Sequence, residues 1–140
     1  MRGPSDDLLH ELKVEYARLL IGPGRMLVPP YETLYAPKAK ERNLLLMVSP
    51  ESLAVERAYC EAGVAISNGL REPPDHFAAG AEFVYSLSKK EAEAGAASDN
   101  TSAKIWRWSE LTFPDEHLGK WGCRFCHQVE TESHHPFNRL

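Results

Sequence analysis

Apolar side chains recur every three or four residues along most of this chain, a period that belongs to the α-helix. Leu8, Leu9, Leu12, Tyr16, Leu19 and Leu20 follow this spacing, with Ser5, Asp6 and Asp7 as capping oxygens ahead of them. Gly22-Pro23-Gly24 should end that helix, since glycine tolerates left-handed dihedrals and proline cannot continue the hydrogen-bond ladder. An irregular, proline-rich stretch from Val28 to Pro37 follows, and residues 42–48 read equally as strand or helical turn. Ser49-Pro50-Glu51 combines a hydroxyl cap, a first-position proline and a first-turn acid, which predicts a helix to about Gly63. Its inward residues are expected to be Leu53, Val55, Tyr59 and Cys60.

Beyond a loop at Asn68-Gly69, Phe77, Ala81, Val84 and Leu87 mark one face of the next helix, and Lys89 to Glu93 its solvated end. Ala94 to Ser102 is small and polar, the best candidate for a flexible linker. Ile105, Trp108 and Leu111 predict a short helix, and Leu118, Trp121, Gly122, Phe125 and Val129 form a stripe along a last one. About five helical segments, no alternating strand and no repeat predict an all-α, single-domain bundle over residues 1–140.

Composition narrows the function classes. Apolar residues make up 43% and charged residues 26% of 140, ordinary values for a domain with a real core. The net charge is −4 and neither half is basic, which argues against a nucleic-acid footprint. No run approaches the roughly 20 apolar residues of a membrane helix, so no stable membrane insertion is expected. Three cysteines without a visible export signal suggest reduced thiols and a cytoplasmic location.

One segment points elsewhere. Cys123-Arg124-Phe125-Cys126-His127 is a C-x-x-C-H pattern, the form used for covalent haem attachment. With His134 or His135 the same residues supply four ligands of types that suit zinc. Against both stands the position of the pattern inside the apolar stripe of the last helix, and haem attachment normally requires export. Cys60 reads as a small buried side chain. No phosphate loop, nucleophile elbow or paired carboxylates appear, so no enzymatic activity is expected.

Four blocks carry a family resemblance through their order. They are Leu20-Ile21-Gly22-Pro23-Gly24, Pro29-Pro30-Tyr31-Glu32-Thr33-Leu34-Tyr35, Glu72-Pro73-Pro74-Asp75-His76-Phe77, and His117-Leu118-Gly119-Lys120-Trp121 with His135-Pro136-Phe137. The set resembles the TorD/DmsD (NarJ-like) family of maturation chaperones for molybdenum oxidoreductases, shortened at both ends relative to its usual members. The resemblance implies a helical chaperone without a cofactor of its own. Its implied partners are the twin-arginine signal peptide and the apo-form of a molybdopterin oxidoreductase, held back from export until cofactor insertion. The implied peptide-binding residues are Tyr31, Glu32, Tyr35, Glu72, Pro74, Asp75 and His76. Dimerisation or helix exchange is one way such a shortened chain would cover its bare faces. The alternatives are a small zinc- or haem-binding protein built on Cys123, Cys126, His127 and His134, or a remnant without function.

Overall fold

A computed structural model describes residues 4–37, 39, 49–64 and 72–139. The ambiguous stretch 42–48 and the Asn68-Gly69 loop lie outside the described residues. Among the described residues there are five α-helices: α1 (Pro4–Tyr16), α2 (Pro50–Glu61), α3 (Phe77–Ala96), α4 (Asn100–Glu116) and α5 (Leu118–Glu132). Among the described residues there is no strand, only an isolated antiparallel bridge between Tyr31 and His76. The chain falls into two compact units, Met1–Pro30 with Gly122–Leu140, and Tyr31–Trp121.

In the first unit α1 begins at Pro4, so Ser5, Asp6 and Asp7 lie within the helix rather than ahead of it, where the two acids favour the helix dipole. The helix widens into a π turn over Ala17–Ile21 and stops where the Gly22 N–H reaches the Ala17 carbonyl at 2.7 Å. Gly22 has φ +64°, and a Cβ there would stand 2.5 Å from the Arg25 carbonyl oxygen, so glycine is required. Leu19 is buried, whereas Leu8, Leu9 and Tyr16 of the same stripe are exposed.

Glu15 organises this unit. Its buried carboxylate takes two hydrogen bonds from Arg18, each 2.8 Å, one from the Ser133 hydroxyl at 3.0 Å, and one from the His134 N–H. Arg18 also donates to the Glu132 carbonyl at 2.6 Å, tying α1 to the end of α5. These hydrogen bonds, led by those from Arg18, outweigh burial and hold the Glu15 carboxyl well below the usual carboxylate range.

The second unit holds the principal core: Val55, Tyr59, Ala62, Phe83, Leu87 and Phe113. Tyr59, Phe83 and Phe113 form a mutually touching aromatic group, with centroids 4.5, 4.7 and 6.0 Å apart. The start of α2 follows its sequence signals: Ser49 caps through its hydroxyl, which accepts the Ser52 N–H at 2.9 Å, and Pro50 opens the helix. Leu53 and Cys60 are exposed, contrary to expectation, because Val55 and Tyr59 set the inward face. On α3 the buried line is Gly80, Phe83 and Leu87, while Ala81 points outward. A Cβ on Gly80 would meet the Leu118 side chain at 3.0 Å, so that glycine allows a close approach.

Residues 94–102, read as a linker, are the last turn of α3, a three-residue turn and the first turn of α4. The Asp99 side chain caps α4 by accepting the Ser102 N–H at 3.0 Å. The charged run on α3 meets its neighbour: Lys90 lies over the Trp106 ring at 4.9 Å, and Arg107 pairs with Glu91 at 3.3 Å. On α4 the residues that mark the helix in the sequence face outward. Ile105, Trp108 and Leu111 are 56%, 70% and 64% exposed, and Phe113 and Trp106 turn inward instead.

Candidate functional site

The site grows from two prolines. Pro29 and Pro30 hold the chain extended into Tyr31, which has φ −126° and ψ 128°. Extension brings Tyr31 beside His76 in the single bridge, and the Glu32 N–H then donates to the Asp75 carbonyl at 3.1 Å. A tight turn at Pro73–His76, closed by the His76 N–H on the Pro73 carbonyl at 3.1 Å, presents the second side.

Asp75 joins the two segments. It is 5% exposed, and its carboxylate accepts the Thr33 N–H at 3.0 Å and the Thr33 hydroxyl. A carboxylate only accepts, so the Thr33 proton points at Asp75. The Ser49 hydroxyl, 2.6 Å from the Thr33 oxygen, must therefore donate to Thr33, while its own oxygen takes the Ser52 N–H. A directed chain of hydrogen bonds thus runs from the start of α2 through Ser49 and Thr33 to Asp75.

His76 is the cap of α3. Its Nδ1 accepts the Ala78 N–H at 3.0 Å, which places the ring proton on Nε2 when the ring is neutral. The ring meets Tyr31 edge-on, with centroids 5.2 Å apart at 75°. The Pro74 carbonyl accepts the Tyr59 hydroxyl at 2.9 Å. Burial, with the nearby carboxylates of Asp75, Glu32 and Glu82, pushes that phenol well above its usual range and keeps it a donor.

The expected binding residues separate into two groups. Tyr31, Glu72, Pro74, Asp75 and His76 come together, and at the surface the Tyr31 hydroxyl donates to the exposed Glu72 carboxylate at 2.9 Å. Glu32 and Tyr35 lie beneath. Both Glu32 oxygens face His117 Nδ1, at 3.1 and 3.2 Å, in a buried pair, and His117 packs on Phe113. Tyr35 stacks on Trp121 at 5.1 Å, and Phe77 meets the same indole edge-on at 5.7 Å. Thr33, Ser49, Tyr59 and His117 are the supports that residue-by-residue reading passes over. Thr33 and His117 stand inside the recognised blocks, but nothing local marks their partners.

Cys123, Cys126 and His127 lie on α5 and are all exposed, so these thiols are not committed to packing as expected. Cys60 is likewise exposed rather than buried. Among the described residues no group of three or more histidines, cysteines and acids is placed to hold a metal ion, His134 included. His134 contributes its backbone N–H to Glu15.

The family profile of the nitrate reductase delta subunit matches residues 2–127, nearly the whole chain. The chain belongs to that family. Its members are maturation chaperones for molybdoenzymes, a non-catalytic role, within the broader TorD/NarJ group that the four blocks resemble. No curated protein and no solved structure matches the chain significantly. Among the described residues, no helix is long and apolar enough to cross a membrane.

Proposed function

We propose that this delta-family chaperone acts in the cytoplasm by holding the twin-arginine signal peptide and apo-form of a molybdopterin oxidoreductase until the cofactor is inserted. The observation that carries this reading is the Tyr31–Glu72 pair: an exposed carboxylate beside a half-buried aromatic ring, fixed from below by Asp75. A guanidinium suits that combination, since it pairs with a carboxylate through two parallel hydrogen bonds and lies flat on a ring. Asp75, buried and fully engaged with Thr33, serves as a positioning residue, and Glu72 makes the direct contact. Glu32, Tyr35, Pro74 and His76 shape the loop.

Calorimetry with a synthetic twin-arginine signal peptide tests the reading. Glu72→Gln should weaken binding about tenfold with the melting temperature unchanged, as expected for an exposed charge that leaves the fold alone. Replacing both peptide arginines by lysine should weaken it similarly, because the ammonium cannot bind in bidentate fashion. Equal affinity of Glu72→Gln and parent for the arginine peptide would remove the pair from the site.

A further inference from the structure

α5 carries two thiols that the signal-peptide reading leaves unused. On its inner side Phe125 is buried, and Val129 one turn on shares a small apolar cavity with Leu12 and Leu19, so the helix is anchored from within. Cys123 and Cys126 are left on the outside, both exposed and both reduced. Three residues apart on a helix, they are neighbours. Among the described residues no side-chain hydrogen bond or ion pair engages either sulfur.

The spacing decides what two such sulfurs can do. Side chains three apart on an intact helix have Cβ atoms about 5–6 Å apart, whereas a disulfide needs about 3.5–4.5 Å. A direct S–S bond would have to deform the turn that Phe125 anchors. An ion held by both sulfurs at about 2.3 Å spaces them by up to about 4.5 Å, which the open helix face accommodates. Sulfur selects a soft ion, and the number of donors then selects among soft ions. Structural zinc takes four ligands, and this face supplies two thiols. His127, the next donor along, turns its Nδ1 toward Glu130 at 3.7 Å, and no third ligand completes a cluster among the described residues. Copper(I) is soft, has a closed shell and is satisfied by two thiolates in line. We propose that Cys123 and Cys126 together form a surface site for one copper(I) ion. Each thiol gives up its proton on binding and the copper stays monovalent, so the step consumes no oxidant or reductant. The site shares no residue with the proposed signal-peptide surface and does not depend on it.

The test is an anaerobic titration of the full chain with copper(I), supplied as its acetonitrile complex in thiol-free buffer, in competition with a chromophoric copper(I) chelator. One equivalent per chain should bind and raise a thiolate-to-copper charge-transfer band in the ultraviolet. Cys123→Ser and Cys126→Ser should each weaken binding at least about a hundredfold, since a serine hydroxyl is a hard, protonated donor. Both positions are exposed, so circular dichroism should show the parental helix content in each variant. Cys60→Ser and His127→Asn should leave the stoichiometry and the band unchanged. Absence of binding by the parent chain overturns the proposal. So does parental affinity in either α5 serine variant, or loss of binding with Cys60→Ser. A loss with His127→Asn as large as that of a cysteine variant would also overturn the two-thiolate assignment. Half an equivalent per chain, with a doubled mass in light scattering, would overturn it too, because the ion would then join two chains.

Discussion

Each unit of the molecule buries a carboxylate and solves the problem differently. Glu15 meets its opposite charge, Arg18, supported by a hydroxyl and a backbone N–H. Among the described residues Asp75 meets neutral donors, the hydroxyl and N–H of Thr33. A charge pair fixes two side chains and tolerates movement along the salt bridge, whereas a hydroxyl and an N–H from one residue fix a backbone position. The first arrangement suits a structural anchor. The second suits a loop that must present Tyr31 and Glu72 in a constant geometry.

Removing the cation should give the largest effect. Arg18→Met leaves the buried Glu15 carboxylate without its charge partner and should destabilise the chain by about 3 kcal/mol in urea melts. A loss below that of Asp75→Ala would reverse the contrast between the two sites. Asp75→Ala strands the two Thr33 donors and should cost about 2 kcal/mol. Because the loop then loosens, it should also weaken signal-peptide binding; Glu72→Gln weakens binding too but leaves stability alone. A double-mutant cycle of Asp75→Ala with Thr33→Val should show a coupling of about 1 kcal/mol, and strict additivity would mean the two do not act together.

The subtlest test is pH. Glu15 has its folded-state pKa lowered, so its stabilisation is complete above the ordinary carboxylate value of about 4.3 and fades as pH falls toward the folded-state value. Glu15→Gln should therefore be about 1 kcal/mol less stable than the parent at pH 7, with the gap closing on acidification below pH ~4. A gap that widens in acid would contradict the charge-pair account.

The contrast also explains what the sequence could reveal. Local signals read well: Ser49-Pro50-Glu51 starts α2 as its residues dictate, and Gly22 ends the first helix at a dihedral that only glycine adopts freely. The face of α4 did not, because apolar residues at 105, 106, 108, 111 and 113 support two helical stripes, and only packing against α3 chooses Trp106 and Phe113. Cys60 and Leu53 failed for the same reason, since Val55 and Tyr59 already fill the inward face of α2. The proline-flanked blocks marked where the candidate site lies. They could not show that Asp75 is held by Thr33, 42 residues earlier, or that Glu15 reaches Ser133, 118 residues later.

The hydrogen bonds from Ser49 to Asp75 carry one more implication. Each hydroxyl has a single proton to give, and the carboxylate at the end decides the direction in which all of them point. The sequence of donors is a ratchet with one setting: reversing any link would leave oxygen facing oxygen. The first turn of α2 and the tyrosine-bearing loop therefore move as one mechanical part. Trimming a single hydroxyl at Ser49 would be felt two residues beyond its neighbour, as play in the position of the Tyr31 ring.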